Sequence, residues 1–75
     1  LEELVRYIAQ NLVDDPGSVR VERHEKEQTV IIELHVASDD MGKVIGKQGR
    51  IAKAIRAVVK AATAKENKRY QVEIV

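Results

Sequence analysis

The chain has no cysteine, no phenylalanine and no tryptophan, and only two tyrosines, Tyr7 and Tyr70. Without cysteine there is no disulfide and no thiolate ligand, and two histidines alone do not lead one to expect a metal site. Freedom from disulfides suits a reducing compartment, so a cytoplasmic location is expected. The shortage of aromatics argues against modules that stack bases on exposed rings, such as an RNA-recognition motif or a stacking OB-fold. No apolar run nears the length of a membrane span and no signal-peptide pattern is seen, so no membrane association is expected. The chain opens on Leu1 rather than Met, which leaves room for missing terminal residues. There are no repeats, low-complexity stretches or internal linkers, and 75 residues read as one domain, 1–75. A domain this small buries only about 60% of the surface its unfolded chain exposes, so its stability should be modest.

Acidic residues are also missing from one block. Residues 1–40 hold four basic and ten acidic side chains. Residues 41–65 hold seven basic ones (Lys43, Lys47, Arg50, Lys53, Arg56, Lys60 and Lys65) and no Asp or Glu. The overall charge of +1 hides this segregation. A charge run is usually a solvated face. An acid-free block of this length, centred on a glycine pair, reads better as an anion-binding surface.

That pair lies in Val44-Ile45-Gly46-Lys47-Gln48-Gly49-Arg50-Ile51. Two glycines three apart are common. With two aliphatics before them and a base and an aliphatic after, the pattern arises by chance in on the order of one chain in ten thousand. Glycine lets the backbone turn sharply and lets a ligand backbone come close. Arg50 begins a long apolar-periodic run, so the expected loop abuts a helix N-terminus, which suits a phosphate. The plainer alternative is a helical corner with glycine as a C-cap. A nucleotide-binding P-loop is not supplied, because Gly49-Arg50-Ile51 lacks the Gly-Lys-Ser/Thr ending. The Gly42…Gly46 spacing matches a membrane-helix packing motif in form only, its surroundings being basic.

Leu1, Leu4, Val5, Ile8 and Leu12 mark one face of a first helix. Asp14-Asp15-Pro16-Gly17-Ser18 ends it. Val19 and Val21 suggest a strand, Glu25–Gln28 a polar turn, and Val30, Ile32, Leu34 and Val36 a half-buried second strand. Ser38 or Asp39 can cap a short helix from about Asp40 to Ile45. After the glycines a long helix is expected from Arg50 to Ala64, burying Ile51, Ile55, Val58 and Ala62 and presenting Lys53, Arg56 and Lys60. Lys65–Arg69 reads as a loop, and Tyr70, Val72 and Ile74 as a last strand. The fold expected is α+β, in the order α-β-β-α-α-β. Its mixed three-stranded sheet has an antiparallel hairpin and a parallel third strand, and its three helices cover one face.

This order, with the glycine motif between two consecutive helices, resembles a KH domain of the type II arrangement. The size of the chain is similar to that of the KhpA family of stand-alone bacterial KH proteins. The resemblance implies a GXXG loop that clamps about four nucleotides of single-stranded RNA by their backbone. It implies an RNA-binding set of Lys43, Val44, Ile45, Gly46, Lys47, Gln48, Gly49, Arg50 and Lys53. It also implies an aliphatic groove floored by Val44, Ile45, Ile51 and the Ile32–Leu34 stretch, and bordered by the loop Lys65–Arg69. Post-transcriptional regulation or RNA-chaperone activity is implied, as is a partner, either a second copy or another KH-family RNA-binding protein. Single-stranded DNA is expected to bind too, since neither groove nor loop demands a 2′-hydroxyl.

Catalysis finds no support: Ser18, Ser38, His24 and His35 lack a partner set, and no cofactor and no metal is expected. His24 reads as solvated and His35 as a surface histidine. The rival function is a protein-interaction or dimerisation module, with Ile31 and Val75 on the open sheet face and RNA binding secondary.

Overall fold

The computed structural model describes residues 1–75, except that the side chains of Lys47 and Gln48 lie outside the described residues. In chain order the elements are α1 (Glu2–Leu12), a one-turn 3-10 helix (Pro16–Ser18), β1 (Arg20–Lys26), β2 (Thr29–His35), α2 (Ser38–Ala62) and β3 (Arg69–Ile74). The sheet order is β1-β2-β3. β1 and β2 form an antiparallel hairpin, and β2 pairs parallel with β3 from Thr29↔Arg69 to Leu34↔Ile74. A parallel neighbour requires a crossover, and α2 is that crossover.

Alternation in β2 builds the core. Val30, Ile32 and Leu34 are fully buried, while Thr29, Ile31, Glu33 and His35 face the other way. Val5 and Ala9 of α1, Ile55 and Val59 of α2, and Val72 of β3 pack on the same face. Burying an aliphatic side chain of this kind contributes about 1.5–3 kcal/mol, so these residues carry most of the stabilisation.

Both helices turn slightly from the expected faces. α1 buries Val5 and Ala9, with Leu1, Ile8 and Val13 partly covered, and leaves Leu4 and Leu12 exposed. In the later part of α2 the buried line is Ala52, Ile55 and Val59, continued by Thr63 at the C-cap; Ile51 is half-buried and Ala62 exposed. Hydrophobicity alone missed this line. Ala52 and Thr63 are weak apolar signals, and Thr63 hides its hydroxyl by donating to the Val59 carbonyl at 2.8 Å.

α2 is a single span, Ser38–Ala62, rather than two helices separated by an open loop. Gly49, at φ +66, lies inside it. A left-handed residue cannot continue a right-handed helix in line, so α2 consists of two limbs that meet at Gly49. With the limbs counted separately the order is α-β-β-α-α-β, as the sequence implied. The helix starts earlier than expected, and neither Ser38 nor Asp39 caps it: the N-cap position is Ala37, with no side-chain cap.

Candidate nucleic-acid interface

Asp40 positions the first limb of α2. Its side chain is 1% exposed. Its two carboxylate oxygens accept hydrogen bonds from the backbone N–H groups of Asp14 and Asp15, each at 3.0 Å. A buried carboxylate is tolerable only when its oxygens are satisfied, and here the turn after α1 satisfies both. One helical turn on, Val44 is also buried. Asp40 and Val44 therefore form the inner side of this limb, and Gly42, Lys43 and Ile45 its exposed side. In the sequence Asp40 reads as the opening residue of a helix. Its tie to a turn 25 residues away has no local signature.

The expected RNA-binding set divides accordingly. Val44 cannot touch a ligand directly; it holds the motif against the body. Ile45 is 54% exposed and is the aliphatic that the motif offers to solvent. Lys43 Nζ donates to Asp14 Oδ1 at 3.1 Å, both side chains being well exposed. Such a surface pair is worth at most about 1 kcal/mol, so Lys43 can exchange Asp14 for a phosphate at little cost. Arg50 and Lys53 are exposed and, with Arg56, Lys60 and Lys65, make no ion pair among the described residues. Lys47 and Gln48 lie outside the described residues.

The two motif glycines differ. Gly49 is required by its backbone, whose positive φ would strain any side chain. Gly46 has no such requirement, and a Cβ built on it meets nothing within 4 Å among the described residues. Glycine inside a helix costs about 1 kcal/mol relative to alanine. Nothing in the fold repays that cost at Gly46, so its open surface is available to a ligand that needs close approach.

The implied groove changes in two respects. Ile32 and Leu34 lie beneath the helices at 0% exposure and cannot floor a solvent-accessible groove. The segment before β3 stands at the far end of the second limb, roughly 20 Å from Gly49 at 1.5 Å per residue, and does not border the glycine turn. That segment is tied elsewhere: the Tyr70 hydroxyl donates to Glu66, and Lys68 pairs with Glu25. Near it is a cleft of about 390 Å³, which the sequence did not reveal. Val59, Val72 and Tyr70 form its apolar side, and Arg56 and Lys60 line it as cations.

The family described as KhpA/KhpB, KH domain, matches residues 2–74. The RNA-binding protein KhpA of Clostridium acetobutylicum is 60% identical over 75 residues, covering all of both chains. That of Caldanaerobacter subterraneus subsp. tengcongensis is 62% identical over 73 residues, 97% of each chain. That of Bacillus subtilis is 50% identical over 74 residues, 99% of this chain and 92% of the relative. Among solved structures, Era in complex with MgGDPNP and nucleotides 1506-1542 of 16S ribosomal RNA superposes with a TM-score of 0.62 at 23% identity. That match covers 99% of this chain and 30% of the Era chain, and shows a shared fold. Two helical limbs meeting at a glycine turn, laid across a mixed three-stranded sheet, are thus found in a chain that belongs to the KhpA/KhpB family of KH domains.

Proposed function

We propose that this protein binds single-stranded RNA at the glycine turn of α2, without catalysis. The observation that carries the reading is the surface around Gly46. An open glycine lies three residues from a left-handed one, with exposed Ile45 before the turn and, after it, the cations Arg50 and Lys53, which make no ion pair among the described residues. Backbone phosphates and sugars lie against Gly46 and Gly49, the cations neutralise phosphate, and Ile45 offers an apolar contact to a base. The RNA-binding relatives named above support the same function. The basic side of the second limb, Lys53, Arg56 and Lys60, extends the path toward the cation-lined cleft. Sequence discrimination is weak, because aliphatic contact and phosphate contact read little base identity. Single-stranded DNA binds as well and duplexes bind worse. The protein works in the cytoplasm, in post-transcriptional regulation or as an RNA chaperone, as a weak homodimer or with a second KH-family protein. Exposed Leu4, Leu12 and Val75 supply apolar surface for such contacts.

The test is the pair Lys47→Asp and Gln48→Asp in one chain. Two negative charges then stand in the motif where phosphate must pass. Affinity for a short single-stranded RNA, read by fluorescence anisotropy, should fall at least about tenfold, or roughly 1.4 kcal/mol. Thermal melting of the same sample reports whether the fold has survived. A variant that melts like the parent and binds RNA equally well shows that the turn is not the clamp.

A further inference from the structure

The sheet face turned away from the helices carries a cluster that RNA binding leaves unused. Glu22 and His24 on β1, and Glu33 and His35 on β2, are each two residues apart, so each pair projects to one side of its strand. The register sets Glu22 directly opposite Glu33, with His24 beside Ile31 and His35 beside Arg20. Two carboxylates in direct opposition repel and weaken a ladder unless positive charge stands between them. The imidazoles lie close to both. His24 Nε2 is 3.2 Å from Glu33 Oε1 and 4.0 Å from Glu22 Oε1. His35 Nε2 is 3.1 Å from Glu22 Oε2 and 3.5 Å from Glu33 Oε1. His35 Nε2 is closed to solvent and makes no hydrogen bond among the described residues, although two carboxylates face it.

These separations approach those of a ligand shell. A tetrahedral ion with bonds of about 2.1 Å needs donor atoms about 3.4 Å apart. Donor atoms of Glu22, His24 and Glu33 all lie within 4.8 Å of one another; His35 Nε2 stands beside both carboxylates but outside that group. We propose that Glu22, His24 and Glu33 bind one divalent transition-metal ion of the zinc class on the open face of the sheet, and that His35 turns in beside the carboxylates to complete the shell. Mixed imidazole and carboxylate donors suit Zn²⁺, whereas Ca²⁺ and Mg²⁺ favour six or more oxygens. The Arg20 guanidinium is the competing cation, 3.3 Å from Glu22 Oε2 and 3.4 Å from His35 Nδ1. Its side chain is largely exposed and can swing into solvent as the ion enters. Counting only cysteine and histidine concealed the site. Its sequence signature is Glu-x-His repeated on two strands of one hairpin.

The experiment titrates the full chain with ZnCl₂ against a chromophoric chelator, and follows the histidine ring signals by NMR. The parent should take up Zn²⁺ saturably with shifts of both His24 and His35. His24→Gln and Glu33→Gln should each bind at least about tenfold more weakly. Glu27→Gln, at the hairpin turn, should bind as the parent does. No saturable uptake by the parent, or uptake undiminished in both ligand variants, overturns the proposal. The ring signals are read on the folded parent, so unmoved signals at saturating Zn²⁺ overturn it whatever the variants do.

Discussion

Gly46 and Gly49 look equivalent in the sequence and are not equivalent in the structure. Gly49 holds φ +66, where an L-residue costs about 1–2 kcal/mol. Gly46 lies in helical backbone with open space where a Cβ would stand. Alanine therefore separates fold from binding. Gly49→Ala should lower the melting temperature by an amount matching about 1–2 kcal/mol. Gly46→Ala should leave stability unchanged or raise it by up to about 1 kcal/mol, while weakening RNA binding. Melting and anisotropy on both variants check this. A Gly46→Ala protein that binds RNA like the parent would mean that the open surface is not used. Asp40 is the converse case, buried and hydrogen-bonded to the turn after α1, where it fixes how the first limb leaves the body.

Among the elements, those with a strong periodic signal were legible. The alternation Val30, Ile32, Leu34 placed β2 at the centre of the sheet, and Tyr70, Val72, Ile74 placed β3. β1 was legible only at its start. It runs on through Arg23-His24-Glu25-Lys26, a polar stretch that resembles a turn. That stretch is an edge strand whose charged side chains are held by ion pairs. Arg23 pairs with Glu25 and with Glu2 of α1, and its guanidinium stands 5.9 Å from the centre of the Tyr70 ring. Pairing of that kind leaves no hydrophobic pattern to read. The turn itself narrows to Glu27 and Gln28, with Glu27 at φ +48. Replacing Glu27 by Gly removes a left-handed strain of about 1 kcal/mol, so Glu27→Gly should melt higher than the parent. Glu25 bears on pH. The hydrogen bond from Arg23, followed by the nearby Lys68 charge, holds its carboxyl below the ordinary carboxylate range. A lowered value in the folded state means that its contribution is present at neutral pH and is lost as pH falls through that range. Glu25→Gln should therefore melt slightly below the parent at neutral pH, and the gap should close in acid.

At the scale of the whole molecule, the charge segregation of the sequence becomes a division between structural elements. The acidic half forms α1, the turn after it, the hairpin and the opening of α2, while the acid-free block runs through α2 from Met41 and just beyond its end. Acidic and basic residues do not cancel across that division. Among the described residues, the block's only ion pair is Lys43 with Asp14. An RNA held by such a surface releases counterions, with a slope near −0.7 in log affinity against log salt for each phosphate neutralised on a single strand. If Arg50, Lys53 and one motif lysine each meet a phosphate, the parent slope should be about −2. Arg50→Ala should remove about 0.7 of it and weaken binding at low salt. Lys60→Ala, farther along the second limb, should cost less affinity and flatten the slope by less. Arg6→Ala, on α1 in the acidic half, should change neither. Anisotropy titrations of one short RNA at several salt concentrations measure all four slopes. An affinity for the parent that does not vary with salt would contradict a phosphate clamp, because neutralised phosphates must release their counterions.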